Sequence, residues 1–287
     1  MTTVSFEIFP PRTPEAQARL WGALDRLTPL DPRFVSVTCG AGGSQKGATM
    51  DVLRAVIGRT SVPAAGHLTC VGRSRAQTDA EILGYWNAGV RHIVALRGDA
   101  PEGTSGFQPH PDGYANAVEL VAAIRRLAPV EISVAAYPEP HPDSVSMVHD
   151  LAVLARKADA GATNAITQFC FDIDAVIALR DRIDDAGIAL NVVPGILLAT
   201  DFNGVARMAA RCGASLPGWL RDRFAGLDDE PETRKLVAAI VAAEQVDRLR
   251  REGFDHFHFY TLNQAELAPA VCRLLGVRPS LHQADAA

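Results

Sequence analysis

The segment Ser5-Phe6-Glu7-Ile8-Phe9-Pro10-Pro11 sets one carboxylate in an otherwise apolar, extended stretch. With the two-residue period of a strand, Ser5 and Glu7 share one face and Phe6 and Ile8 take the other. A carboxylate aimed inward loses hydration, which raises its pKa and suits it to general acid work. On an edge strand the same Glu7 would be a solvated surface group. A second constellation is Leu96-Arg97-Gly98-Asp99-Ala100-Pro101. Arg97 offers a planar fork for phosphate or a ring carbonyl, Gly98 admits close backbone approach, and Asp99 can accept from an amino-pyrimidine edge. The competing reading is an internal Arg97–Asp99 pair closing a turn.

Histidines form a third group. His67, in Gly66-His67-Leu68-Thr69-Cys70, reads by itself as a satisfied core residue. His141, on the Pro-rich stretch Tyr137-Pro138-Glu139-Pro140-His141-Pro142, reads as a binding residue on a rigid loop. The helix after it brings Asp150, Arg156 and Lys157 near one another. The two cations there suit a diphosphate, against the reading of a solvated helix face. His256 and His258 share a strand face without a third ligand nearby, so no metal site is expected. Gly40-Ala41-Gly42-Gly43-Ser44 lacks the Lys-Ser/Thr of a phosphate loop and the spacing of a dinucleotide fingerprint.

These residues fall at the ends of short apolar runs. Strands are predicted over 4–9, 34–39, 63–70, 92–97, 131–137, 165–171, 190–196 and 256–262, each bounded by Gly, Pro or Asp. Helical patterns lie between them at 14–26, 48–58, 74–88, 113–126, 144–160, 173–186 and 204–211. Extra helices are predicted over 216–225 and 231–252 before the last strand, and a closing helix over 264–275. Eight strands alternating with helices predict an α/β fold, a single (β/α)8 barrel over residues 1–287, with a tail frayed after about 278. No Gly-rich turn follows the first strand, as an open dinucleotide-binding sheet would require. The barrel puts function at the C-terminal strand ends. There the sequence holds Glu7, Thr38, His67, Thr69, Arg97, Asp99, Tyr137, Glu139, His141, Gln168, Tyr260 and Asn263.

The chain has 287 residues, 48% of them hydrophobic, with a net charge of -5 and no basic cluster longer than three residues. Disorder, nucleic acid and anionic membranes are thereby disfavoured. No run of about 18 apolar residues and no secretory signal occurs. Five widely spaced cysteines without a CxxC pair fit reduced thiols, so a cytoplasmic protein is expected.

Taken together, the motifs resemble the methylenetetrahydrofolate reductase family. The similarity is carried by SFEIFPP at 5–11, FVSVTCGAGG at 34–43, GHLTC at 66–70, HIVALRGD at 92–99 and ISVAAYPEPHP at 132–142. It continues through RKADAGATNAITQFCFD at 156–172, VVPGIL at 192–197, GLDDEPETRKLV at 226–237 and FHFYTLNQAE at 257–266. The resemblance implies FAD at the barrel mouth, with NADH or NADPH and the folate using one flavin face in turn. Hydride would pass to 5,10-methylenetetrahydrofolate to give 5-methyltetrahydrofolate for methionine synthesis, or run in reverse during methyl-group catabolism. It implies Glu7 as the general acid opening the folate ring to an iminium, with Asp99 and Gln168 on the folate and Thr38 on the nicotinamide. It assigns Cys39, Ala41, His67, Arg97, Gly98, Asp99, Ala115, Tyr137, His141, Asp150, Arg156 and Lys157 to the cofactor. Members of the family are often dimers or tetramers, so a homo-oligomer is expected.

Departures from the family pattern are local. Cys39 stands where Tyr is common, Ser144 where Ala is, and Val153 where Asn is, all beside the flavin. On the folate side Leu198 replaces Pro, Gly204 replaces Gln, and Gln264 replaces an Arg; the lost Arg contact implies weaker or differently shaped folate binding. Two other readings share the barrel. One is flavin-independent hydride transfer from NAD(P)H to the iminium, and the other a folate- or flavin-binding barrel without turnover, which would have no use for a buried acid.

Overall fold

The computed structural model describes residues 2–40, 46–99, 107–141 and 143–279. Nine parallel strands form one sheet: β1 (Thr3–Ile8), β2 (Val35–Val37), β3 (Ala64–Thr69), β4 (His92–Leu96), β5 (Glu131–Ala136), β6 (Asn164–Thr167), β7 (Asn191–Val193), β8 (Gly195–Leu197) and β9 (His256–Tyr260). They run β7-β6-β5-β4-β3-β2-β1-β9-β8, so the two ends of the order are neighbours in the chain, separated by Pro194. The sheet is thus an eight-stave barrel, as the sequence predicts. The single predicted strand over 190–196 is a stave broken in two.

The break has a local cause. Proline has no N–H to give to a ladder, and around Pro194 the stave changes partner. β7 pairs with β6, and β8 pairs with β9. The gap between β6 and β8 is bridged by side chains: Gly195 N–H donates to Thr167 Oγ1 (2.9 Å), and the Tyr260 hydroxyl donates to Thr167 O (2.7 Å). A Cβ on Gly195 would lie 2.2 Å from Thr167 O and 2.5 Å from the Tyr260 ring, so only glycine fits this crossing.

Strand alternation sorts the core. Val4, Phe6, Ile8, Val35, Val37, Phe257 and Phe259 face outward into the main cluster with the helices, while Phe34, Ala65, Val94, Ile166 and Val193 form a separate plug. The surrounding helices are α1 (Pro14–Leu27), α2 (Lys46–Arg59), α3 (Arg75–Asn87), α4 (Ala117–Leu127), α5 (Met147–Asp159), α6 (Ile173–Asp185), α7 (Phe202–Cys212), α8 (Gly218–Phe224), α9 (Pro231–Arg251) and α10 (Ala268–Leu274).

Several starts differ from the periodicity, for reasons of capping. α4 begins at Ala117 rather than Gly113 because the Asn116 side chain accepts from the N–H groups of Val118 and Glu119. α5 begins after Ser146, whose hydroxyl accepts from His149 N–H. The closing helix begins at Ala268 rather than Gln264, since Leu262 and Asn263 adopt left-handed backbone (φ 50° and 56°). The tail expected after 278 lies outside the described residues from 280 onward.

Candidate active site

The site is organised by the pairing of the first and last strands. In the β1–β9 register Glu7 faces Tyr260 and Ser5 faces His258. The turn after β9 locks this arrangement. Thr261 Oγ1 donates to Glu7 O (2.6 Å), and Asn263 clamps Phe9, accepting its N–H (2.9 Å) and donating to its carbonyl (2.8 Å). Asn263, expected among the mouth groups, is therefore structural. So is Glu139, whose Oε2 accepts from Ser215 N–H (2.9 Å) and ties the loop after β5 to the chain between α7 and α8.

Glu7 is 23% exposed and stands between two imidazoles, with Nε2 of His67 3.3 Å and Nε2 of His258 4.0 Å from its Oε2. Burial raises the Glu7 pKa above the usual carboxylate range, against a smaller opposing pull from His67. The same burial lowers His67 and takes His258 down to about 3, so neither imidazole is charged at neutral pH. His67, which taken alone reads as a core residue, is buried, and its ring lies against the candidate acid.

Across the mouth, the ends of β4 and β5 carry charge. Arg97 Nη2 donates to Asp143 Oδ2 (2.7 Å), and the Tyr137 and His141 rings meet edge to face at 4.5 Å. The Arg97–Asp99 turn pairing is thus replaced by Arg97–Asp143, leaving Asp99 exposed. Gly98 is required by its backbone, with φ +87° and Val71 2.5 Å from where a Cβ would sit. Asp150 Oδ2 accepts from His141 N–H (3.2 Å). Lys157 Nζ donates to Ala135 O (3.0 Å), and burial draws its pKa down to about 8. Burial also pushes Tyr137 up to about 12, with Asp99 adding to the rise.

The remaining expected residues divide. Thr38 sits just beyond β2, where its N–H donates to Ile8 O, and Cys39 beside it is 5% exposed. Gln168 follows β6, its side chain accepting from Phe169 N–H (3.0 Å), beside Tyr137 in a small cleft. Asp150 and Lys157 share a neighbourhood, but Arg156 does not join them. It is exposed, and its side chain makes no hydrogen bond or ion pair with the described residues. Ala115 lies ahead of α4 with its N–H on Glu119, and Gln264 is exposed in the turn after β9. Ala41 lies outside the described residues.

A family model described as methylenetetrahydrofolate reductase matches residues 1–276. The chain belongs to that family. It is 47% identical over 278 residues to the 5,10-methylenetetrahydrofolate reductase of Escherichia coli K12, covering 97% of this chain and 92% of that one. It is 38% identical over 273 residues to the Buchnera aphidicola (Acyrthosiphon pisum) protein of the same name, covering 95% and 91%. A rice relative named probable methylenetetrahydrofolate reductase (NADH) is 31% identical, over 96% of this chain and 48% of its own length. Among solved structures, a dihydropteroate synthase from Xanthomonas albilineans shares the fold, with a TM-score of 0.51 at 16% identity over 96% and 91% of the two chains.

The residues present fit a flavin dinucleotide of the kind the family resemblance implies. Lys157 is a partly buried ammonium that donates to a carbonyl, with no carboxylate within ion-pair distance among the described residues. A cation held so suits a diphosphate. Tyr137 and His141, ring against ring after β5, and Arg97 after β4 add flat groups and a further cation at the same mouth.

Proposed function

We propose that this chain is a 5,10-methylenetetrahydrofolate reductase that takes its hydride from NADH or NADPH and uses FAD. The observation that carries the reading is Glu7, a carboxyl with a raised pKa held between two neutral imidazoles at the mouth. Opening the folate ring to its iminium requires a proton on the departing amine nitrogen. A carboxyl whose pKa burial raises keeps its proton to a higher pH than an ordinary one and can give it.

Asp99, exposed beyond β4, is suited to the pterin edge, and Gln168 beyond β6 to folate and nicotinamide. Thr38, just beyond β2, would meet the nicotinamide. Arg97, Gly98, Tyr137, His141, Asp150 and Lys157 would hold FAD, with Cys39, His67 and Ala115 at its margins. Bound there, FAD would supply the hydride carrier between nicotinamide and folate. The rice relative's name favours NADH.

The visible spectrum of the purified protein tests this. A flavin band is expected that bleaches with anaerobic NADH and returns on adding methylenetetrahydrofolate. A colourless protein that FAD neither colours nor activates, yet that oxidises NADH with the folate, would replace the flavin assignment by direct hydride transfer, for which Cys39 and Val153 leave room. Absence of any folate-dependent turnover would leave only a binding barrel.

A further inference from the structure

Below Glu7 a line of buried polar groups runs down the barrel interior, where aliphatic side chains would pack as well. Ser5 Oγ lies 2.7 Å from Nδ1 of His258 and 3.0 Å from Nε2 of His256. Ser5 is fully buried, His258 is 1% exposed and His256 3%. Above, Nε2 of His258 stands 4.0 Å from Glu7 Oε2, a hydrogen bond's length plus about one ångström. Below, Nδ1 of His256 is buried and has no partner among the described residues. The charges that bear on that ring are Arg33 and Glu131, with His92 and His258 beside it. Arg33 and Glu131 form a half-exposed ion pair (3.4 Å) at the N-terminal ends of the staves, opposite the mouth. His92 stands apart from the line, bonded to Ser133 Oγ at 2.8 Å.

A neutral imidazole carries one N–H and a hydroxyl one hydrogen, so this line has two self-consistent polarities. In the first, His256 Nε2–H donates to Ser5, Ser5 donates to His258 Nδ1, and His258 Nε2–H faces an ionised Glu7. In the second, Glu7 is protonated and faces the bare Nε2 of His258. Nδ1–H of His258 then donates to Ser5, and Ser5 donates to Nε2 of His256. One proton entering at His256 Nδ1 converts the first into the second by four shifts. His256 gives its Nε2 proton to Ser5, Ser5 gives its own to His258 Nδ1, and His258 gives its Nε2 proton to Glu7. No charge is left in the core.

We infer that His256, Ser5 and His258 are a proton path that reloads Glu7 from the end of the barrel opposite the mouth. The inference rests on the folate-reductase reading. Glu7 gives up its proton beneath bound folate, and that same ligand then covers the mouth, so solvent reaches the carboxylate through the core. His258 and Ser5 act through Glu7 and touch no substrate. Burial holds both histidines near pKa 3, so the proton passes through without resting on either ring.

The test is hydrogen–deuterium exchange of the Glu7 carboxyl, followed by its infrared carbonyl band and identified by loss of that band in Glu7→Gln. It is run at a pH where the band shows Glu7 protonated, in the free protein and with 5-methyltetrahydrofolate covering the mouth. Ser5→Ala and, separately, His256→Gln are compared with the unsubstituted chain, their folding checked by circular dichroism. With the mouth open, all three proteins should exchange alike. With the mouth covered, both variants should exchange at least about tenfold more slowly. Equal rates in the covered state, or equal slowing in both states, would overturn the path. If 5-methyltetrahydrofolate leaves the Glu7 band and the protein's fluorescence unchanged, the folate reading itself fails, and the path with it.

Discussion

On the β1–β9 side of the mouth, His67 and His258 stand within 4.0 Å of Glu7, and burial pushes all three toward their uncharged forms. On the β4–β5 side, Arg97 is paired with Asp143, Asp99 is exposed, and Lys157 keeps a pKa of about 8. One wall is dry and neutral, the other partly wet and charged. The division suits the chemistry proposed for each. Proton transfer needs a group whose two protonation states are close in energy, which desolvation supplies. Holding an anionic cofactor needs cations that stay charged, which partial hydration supplies.

The sharpest way to break this comparison is to remove the acid from the neutral wall. Glu7→Gln should lower folate-dependent NADH oxidation by on the order of a hundred- to ten-thousand-fold. A loss of less than tenfold would mean that the neutral wall is packing and not chemistry.

Acid should strike the neutral wall next. His256, His258 and His92 have folded pKa values drawn down to about 3, 3 and 4, below the unfolded value near 6.5. Below about pH 6.5 the unfolded chain therefore holds more protons, and stability falls as pH drops toward 4. The expected slope is about 1.4 kcal/mol per pH unit for each histidine, about 4 kcal/mol per unit for all three. Urea melts across that range measure it, and His256→Gln should remove about a third of the slope.

Lys157, on the charged wall, shows the same physics in the alkaline range. Its folded pKa is about 8, below an unfolded value near 10.4. Between those values the unfolded chain again holds more protons, so stability rises with pH by about 1.4 kcal/mol per unit. Lys157→Met should flatten that rise in melts of the cofactor-free protein. The smallest effect belongs to the exposed pair. With side chains 31% and 55% exposed, Arg97–Asp143 should contribute below about 1 kcal/mol, so Asp143→Ala should scarcely move the melting curve.

The sequence makes the charged wall easier to read than the neutral one. Tyr137, His141 and Asp150 lie close together along the chain and Arg97 stands just past the preceding strand, at positions that follow from strand and helix periods. Lys157 follows one helical face from Asp150, while Arg156, one residue earlier, turns to solvent. The neutral wall is assembled from β1, β3 and β9. Ser5 and Glu7 are visible on one strand face, and His256 and His258 on another. Their meeting depends on a register between residues about 250 apart, which no local pattern carries. Pro194 is the other instance. Its break in a strand-like run is visible, but the change of partner there is a property of the closed barrel.

The staves β1 to β7 each pair with a neighbour in sequence, and only β9 reaches back to the start of the chain. Closing so long a loop is slow relative to the local pairings, which places β9 docking late in folding. The side-chain bridge at Pro194 leaves β8 paired with β9 alone, so these two strands can arrive as a unit. A chain with its other staves formed and this unit undocked would keep most of its secondary structure. It would lack every contact between Glu7 and His258. Recovery of catalysis during refolding should therefore trail the recovery of helical signal, and the interval between them is the time the barrel takes to shut.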